Sequence, residues 1–126
     1  MTWRIDYDAK HCIINIIYQG TVSKKEIHKS IISIVENLHL NFTVKILTDF
    51  SKVKRLSITV LEIYELPYDY RCFGLNQNFI KAIVIAKKSK ELKKLEFYET
   101  VLVNNLNRVK LFEERKQAFE WLIAHS

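Results

Sequence analysis

Apolar residues recur in this chain at two spacings that take turns along its length, and this alternation restricts the fold more than any single motif does. Trp3, Ile5 and Tyr7 fall on every second position, the period of a half-buried strand. Cys12 to Tyr18, an isoleucine-rich and almost wholly apolar run, predicts a second strand beside it. Ile27, Ile31, Ile34, Val35 and Leu38 then step at helical spacing. Val44 to Phe50, Ile80 to Ala86 and Val109 to Phe112 predict three further strands. The segments between and after them predict a helix from Ser57 toward Leu66, one carrying Leu92, Leu95, Tyr98 and Leu102, and a closing one over Glu113 to Ala124 that buries Ala118, Phe119 and Leu122. Strands separated by helices pair in parallel through right-handed crossovers. The order ββαβαβαβα therefore predicts an α/β fold with a single mixed, mostly parallel sheet covered by helices and an antiparallel hairpin at its start. At 126 residues the chain has the length of one domain, residues 1–126.

Local signals mark where the elements change. Gly20 is the expected end of the second strand. After it Ser23 and Glu26 have capping-box spacing, with Val22 and Ile27 placed to form the hydrophobic staple. Lys52 to Arg55 reads as a basic loop, Ser57 as the candidate cap of the helix that follows, and Pro67 as that helix's end or a kink. Tyr64, Tyr68, Tyr70 and Phe73 crowd together before Gly74, with Arg71 among them. Core packing is the first expectation for such rings and a recognition patch the second. Asn104 to Asn107 supplies turn chemistry.

Composition removes several classes of function. Only two glycines and one proline occur, which excludes the glycine-rich phosphate cradles of nucleotide-binding loops. Lys and Arg outnumber Asp and Glu by 20 to 14, and the net charge of +6 permits an anionic partner. The two halves carry equal net charge, so no charged tail or arm is expected. The densest basic stretch, Lys87, Lys88, Lys90, Lys93 and Lys94, reads as the solvated face of an amphipathic helix; no stacking aromatics are interleaved with it, which argues against nucleic acid. Cys12 and Cys72 lack C-x-x-C or zinc spacing and are expected as free, buried thiols in a reducing compartment. His11, His28, His39 and His125 show no ligand spacing, so neither a metal nor a cofactor is expected. Met1 to Lys10 carries Arg4, Asp6 and Asp8 without an apolar stretch, unlike a signal peptide, and no run approaches the length of a membrane span. The expected location is the cytoplasm.

Polar residues collect at the end of the third strand, in Thr48-Asp49-Phe50-Ser51, and in an open α/β sheet the carboxyl ends of strands are where sites gather. Asp49 is the best-placed acid. Its neighbours in sequence include no group that would shift its pKa or position a nucleophile, so its expected role is to organise the loop, and no enzymatic activity is expected.

Several segments resemble one family. Thr2-Trp3-Arg4-Ile5-Asp6, Gln19-Gly20-Thr21-Val22-Ser23, Leu47-Thr48-Asp49-Phe50 and the closing Val109-Lys110-Leu111-Phe112 with Ala118-Phe119-Glu120-Trp121-Leu122 are similar to the small bacterial SpoIIAA-like, or STAS-type, proteins. The resemblance spans nearly the whole chain and implies their fold, to which CRAL-TRIO lipid-binding domains are distantly related. The better understood members are anti-sigma-factor antagonists, non-catalytic modules that exchange partners when a serine at a helix start is phosphorylated. Carried onto this chain, the switch region falls between Asp49 and Thr59, with Ser57 nearest to the phosphorylated serine. The antagonist motif is Asp-Ser-Ser-Gly, whereas this chain has Leu56-Ser57-Ile58-Thr59, without the Asp and the Gly.

The expected function is a non-catalytic, protein-binding or regulatory module. It would present Asp49, Ser51, Ser57 and Thr59 to a protein partner, with Lys52, Lys54 and Arg55 as anion contacts for a phosphorylation-sensitive switch. The alternative is a carrier of a small apolar or lipid-like ligand, held against the apolar face of the Ser57 to Phe73 segment. A nucleic-acid binder using a Lys87 to Lys94 helix is the third. An edge strand of the opening hairpin is free to pair with a second copy, which would make a homodimer.

Overall fold

The alternating pattern at the start of the chain closes into a hairpin. In the computed structural model, which describes residues 2–37, 44–72, 74, 79–104 and 108–124, β1 (Trp3–Asp8) pairs antiparallel with β2 (Ile13–Ser23). Asp8 organises the turn: its carboxylate accepts the His11 backbone N–H at 3.1 Å and faces His11 Nδ1 at 3.0 Å. Beyond β2, the Glu26 carboxylate accepts the Ser23 backbone N–H at 3.0 Å and also the Ser23 hydroxyl, which starts α1 (Lys24–Asn37). Val22 and Ile27 are buried in the same core, as the staple requires.

The remaining strands, β3 (Val44–Ser57), β4 (Phe79–Val84) and β5 (Arg108–Phe112), add in parallel, giving a five-stranded sheet in the order β1-β2-β3-β4-β5. They are joined by α2 (Val60–Cys72) and α3 (Leu92–Asn104), and α4 (Arg115–Ala124) closes the chain. Successive strands are neighbours, so crossovers of one hand place α1, α2 and α3 on the same face. Among the described residues, α4 is the helix that packs on the other face. The strand parities agree: Ile14, Ile16, Tyr18, Ile46, Phe50 and Ile83 face the three-helix side, whereas Ile13, Leu47, Ile80, Ala82 and Val84 meet Ala118 and Leu122 of α4. β4 is covered on both faces and buried at all six positions, which explains its continuous run of mainly apolar residues.

Several expectations need correction. β2 does not end at Gly20 but passes through it at φ 71°, and β3 does not end at Phe50. The two continue together as a parallel ribbon pairing Gln19 with Lys52, Thr21 with Arg55 and Ser23 with Ser57, so the expected basic loop is strand. The register slips between Ile17 and Gln19 and again between Gly20 and Thr21, leaving extra residues on β3; such bulges break the two-residue period that marks a strand in sequence. α2 begins at Val60 and carries Pro67 in its interior, so Pro67 does not end the helix, which runs on to Cys72. Lys87, Lys88 and Lys90 lie in turns, because α3 starts only at Leu92. Both cysteines are exposed, Cys12 in the hairpin turn with φ 55° and Cys72 at the end of α2. Leu38, His39, Phe73, Asn105, Leu106, Asn107 and His125 fall outside the described residues.

Candidate functional site

The strand end that the sequence singled out leads directly into α2, and Thr59 forms the junction. Its hydroxyl accepts the Glu62 N–H at 3.1 Å while Glu62 accepts the Thr59 N–H at 2.9 Å, a complete capping box. Ser57 therefore does not cap the helix; it is the exposed last residue of β3, two positions ahead of the cap. Ser51, Lys52, Lys54 and Arg55 are also exposed on this end of β3. Asp49 is not among them.

Asp49 lies on the α4 side of the sheet and is 5% exposed. One carboxylate oxygen accepts the Ser51 N–H at 2.8 Å, and the other receives Arg115 Nη1 at 2.9 Å, with Arg115 Nη2 reaching Asn15 at 3.2 Å. Burial alone would raise this carboxyl, but Ser51 and Arg115 outweigh it and hold the pKa below the usual aspartate value. The group ties the start of α4 to the sheet. In a sheet whose strands follow sequence order there is also no reversal of winding to open a crevice at the carboxyl ends.

The tyrosine cluster divides by helical phase. Ile63, Leu66, Pro67 and Tyr70 turn inward and are buried. Val60, Leu61, Tyr64 and Tyr68 fall within one arc of about 100° on the opposite side, and they are 66%, 68%, 69% and 64% exposed. Arg71 and Cys72 extend the same exposed face. α2 is thus apolar on both sides and covered on one.

Beneath α2 lies a residue the sequence reading passed over. Lys81, in the centre of β4, shares the parity of Phe79 and Ile83 and points into the three-helix core, where it is 4% exposed. Its Nζ donates to the Tyr98 hydroxyl at 2.7 Å, Tyr98 and Tyr70 hydroxyls meet at 2.6 Å, and the amine stands 4.9 Å from the centre of the Tyr98 ring and 5.6 Å from that of Tyr70. Burial without an opposing carboxylate pushes the Lys81 ammonium down to about 7. The same burial pushes the hydroxyls of Tyr18, Tyr70 and Tyr98 up. Tyr18 completes the polar layer by bonding Ser30 at 2.5 Å and stacking on Phe50 at 5.0 Å. The cavity among these groups measures about 10 Å³, one water's room, and Ile63, Leu66 and Tyr70 of α2 line one side of it. A wider groove of about 480 Å³ between the starts of α3 and α4 is open and mixes Ile85, Leu92 and Phe112 with Lys87, Glu96 and Glu113. As they stand, neither encloses a lipid-sized apolar ligand.

This arrangement of sheet and helices matches solved structures. An uncharacterized protein of the DUF3478 family from Shewanella loihica PV-4, described as having a SpoIIAA-like fold, matches with a TM-score of 0.58 and 17% identity over 95% of this chain and 91% of its own. This chain has the SpoIIAA-like fold. The anti-sigma factor antagonist SpoIIAA in its unphosphorylated form matches with a TM-score of 0.50 and 9% identity, over 95% of this chain and 96% of that one. No protein-family model and no curated protein matches the chain. For this SpoIIAA-like domain the sequence did hold signals for what was missed. Lys81 is the one charged residue in the run Phe79–Val84, at an inward parity, and Val60, Leu61, Tyr64 and Tyr68 share a helical arc opposite to Ile63, Leu66 and Tyr70.

Proposed function

We propose that this SpoIIAA-like domain is a non-catalytic regulatory module that binds a protein partner through the outer face of α2 and the adjoining end of β3. The observation that carries this reading is the uncovered arc of Val60, Leu61, Tyr64 and Tyr68. Exposed aromatic rings on a rigid helix are what the centres of protein interfaces are built from. The likeness to an anti-sigma factor antagonist supports a binding role of this kind. Of the two hydroxyls at the junction, Ser57 suits modification. It is exposed on the same end of β3 as Lys52, Lys54 and Arg55, whereas a phosphate on Thr59 would displace the Glu62 cap.

The test is retention of a partner from the cell's own extract by wild-type protein and by Tyr64→Ala/Tyr68→Ala. The double variant is expected to keep the wild-type melting temperature, since both rings are exposed, and to lose the partner. Ser57→Asp should alter the partner's affinity while Ser57→Ala does not. Undiminished retention by the tyrosine variant would refute the assignment of the surface.

A further inference from the structure

The carboxyl edge of the sheet gathers cations from three separate segments. Lys52, Lys54 and Arg55 occupy the end of β3, Lys88 and Lys90 the turns after β4, and Lys93 the first turn of α3. All six are exposed and make no ion pair among the described residues. The segments are joined physically, because Lys94 Nζ donates to the Leu56 carbonyl at 2.7 Å and so fastens the start of α3 to the end of β3. Acids of the same edge are mostly committed: Asp49 to Arg115, Glu91 to Lys94, Glu113 to Lys87, and Glu26 and Glu62 to helix caps. Glu114, on the α4 flank, is exposed.

At the same edge stand Val60 and Leu61. Side chains of a helix lean toward its amino terminus, so these two, in the first turn of α2, project outward past the sheet rather than along the helix. They remain about two-thirds exposed, at 66% and 68%.

The geometry points to this edge as a docking face for an anionic membrane surface, with the cations held at lipid phosphates and Val60 and Leu61 entering the interface. Charge complementarity selects an anionic surface, and the aliphatic pair selects a bilayer. A nucleic acid would match the cations but take up an aliphatic pair only by unstacking its bases at a cost, whereas a lipid interface accommodates both directly. No helix among the described residues is long and apolar enough to cross a membrane, so the contact proposed is peripheral. It goes beyond the proposed partner-binding surface, with which it shares Val60, Leu61 and the end of β3 but not Tyr64 and Tyr68.

The test is co-sedimentation of the purified protein with vesicles of phosphatidylcholine alone and of phosphatidylcholine mixed with phosphatidylglycerol. Each basic residue at an anionic leaflet contributes about fivefold in binding, so Lys52→Gln/Lys54→Gln should weaken binding to the mixed vesicles about 25-fold. Lys10→Gln/Arg108→Gln removes the same charge from the opposite edge and should leave binding within about twofold of wild type. Leu61→Ser should remove the part of the binding that survives high salt. Tyr68→Ala should leave vesicle binding unchanged, which separates this face from the partner-binding one. Equal losses in the two charge-matched pairs, or equal binding to neutral and anionic vesicles, would overturn the proposal. So would salt-sensitive capture of duplex DNA without vesicle binding, which would give the edge to nucleic acid.

Discussion

Lys81→Met should make this protein more stable at neutral pH, and the gain should fade as pH rises. In the unfolded chain the Lys81 ammonium titrates at 10.5, and in the folded core burial lowers that to about 7. Between those values the unfolded state holds a proton that the native state does not, so wild-type stability rises with pH across this window; below about 7 both states are protonated and the penalty is constant. A difference of about 3.5 units at about 1.4 kcal/mol each sets a ceiling of about 5 kcal/mol. Methionine has similar reach and no charge, but it forfeits the hydrogen bond to Tyr98, worth about 1 kcal/mol, while Tyr98 keeps Tyr70. The net expectation is a gain of about 2–4 kcal/mol near pH 7, falling to nothing or slightly below by pH 10.5. Urea unfolding of both proteins across this range measures it directly, since titration of the exposed tyrosines is common to both and cancels. A Met variant that is less stable than wild type at pH 7, or a difference that does not change with pH, would refute the argument, showing the amine to be hydrated or ion-paired.

Two further outcomes test the local assignments. Thr59→Ala should cost about 1 kcal/mol by removing the cap of α2, whereas Ser57→Ala should change stability by less than about 0.5 kcal/mol; thermal melts showing the reverse order would return the cap to Ser57. Asp49→Asn should cost about 1–3 kcal/mol at pH 7 by weakening the bonds to Ser51 and Arg115. The folded carboxyl is held below its unfolded value of 3.8, so the wild-type advantage is complete above that value and is lost as pH falls through the lower, folded one. A pH-independent difference in denaturant midpoint down to pH 3 would show that charge at Asp49 contributes nothing.

A partner on α2 and a membrane at the carboxyl edge would share Val60, Leu61 and the end of β3, so the two would compete for that part of the surface. Tyr64 and Tyr68 lie along the helix, while Lys52 and Lys54 precede it in β3 and Lys88 and Lys90 lie in the turns after β4. A switch at Ser57 would sit at the border, where an added phosphate would oppose an anionic surface as well as alter the partner face.

The sequence by itself determined the order of the elements and the details that depend on near neighbours. Strand and helix periods are local, so Trp3-Ile5-Tyr7 and Ile27-Ile31-Ile34 announce their structures without reference to the rest of the chain, and the Ser23–Glu26 cap joins residues three apart. The tertiary structure alone decided what depends on distant partners. β3 reaches Ser57 because β2 also continues past Gly20, a pairing across more than thirty residues, and that extension moves the cap of α2 to Thr59. Tyr70 is buried while Tyr64 and Tyr68 are exposed because of how α2 is turned on the sheet. Lys81 becomes a core residue with a displaced pKa only because Tyr70 of α2 and Tyr98 of α3 both close over β4. Periodicity states which face of an element is apolar, but burial, and the desolvation that follows from it, belongs to whatever packs against that face.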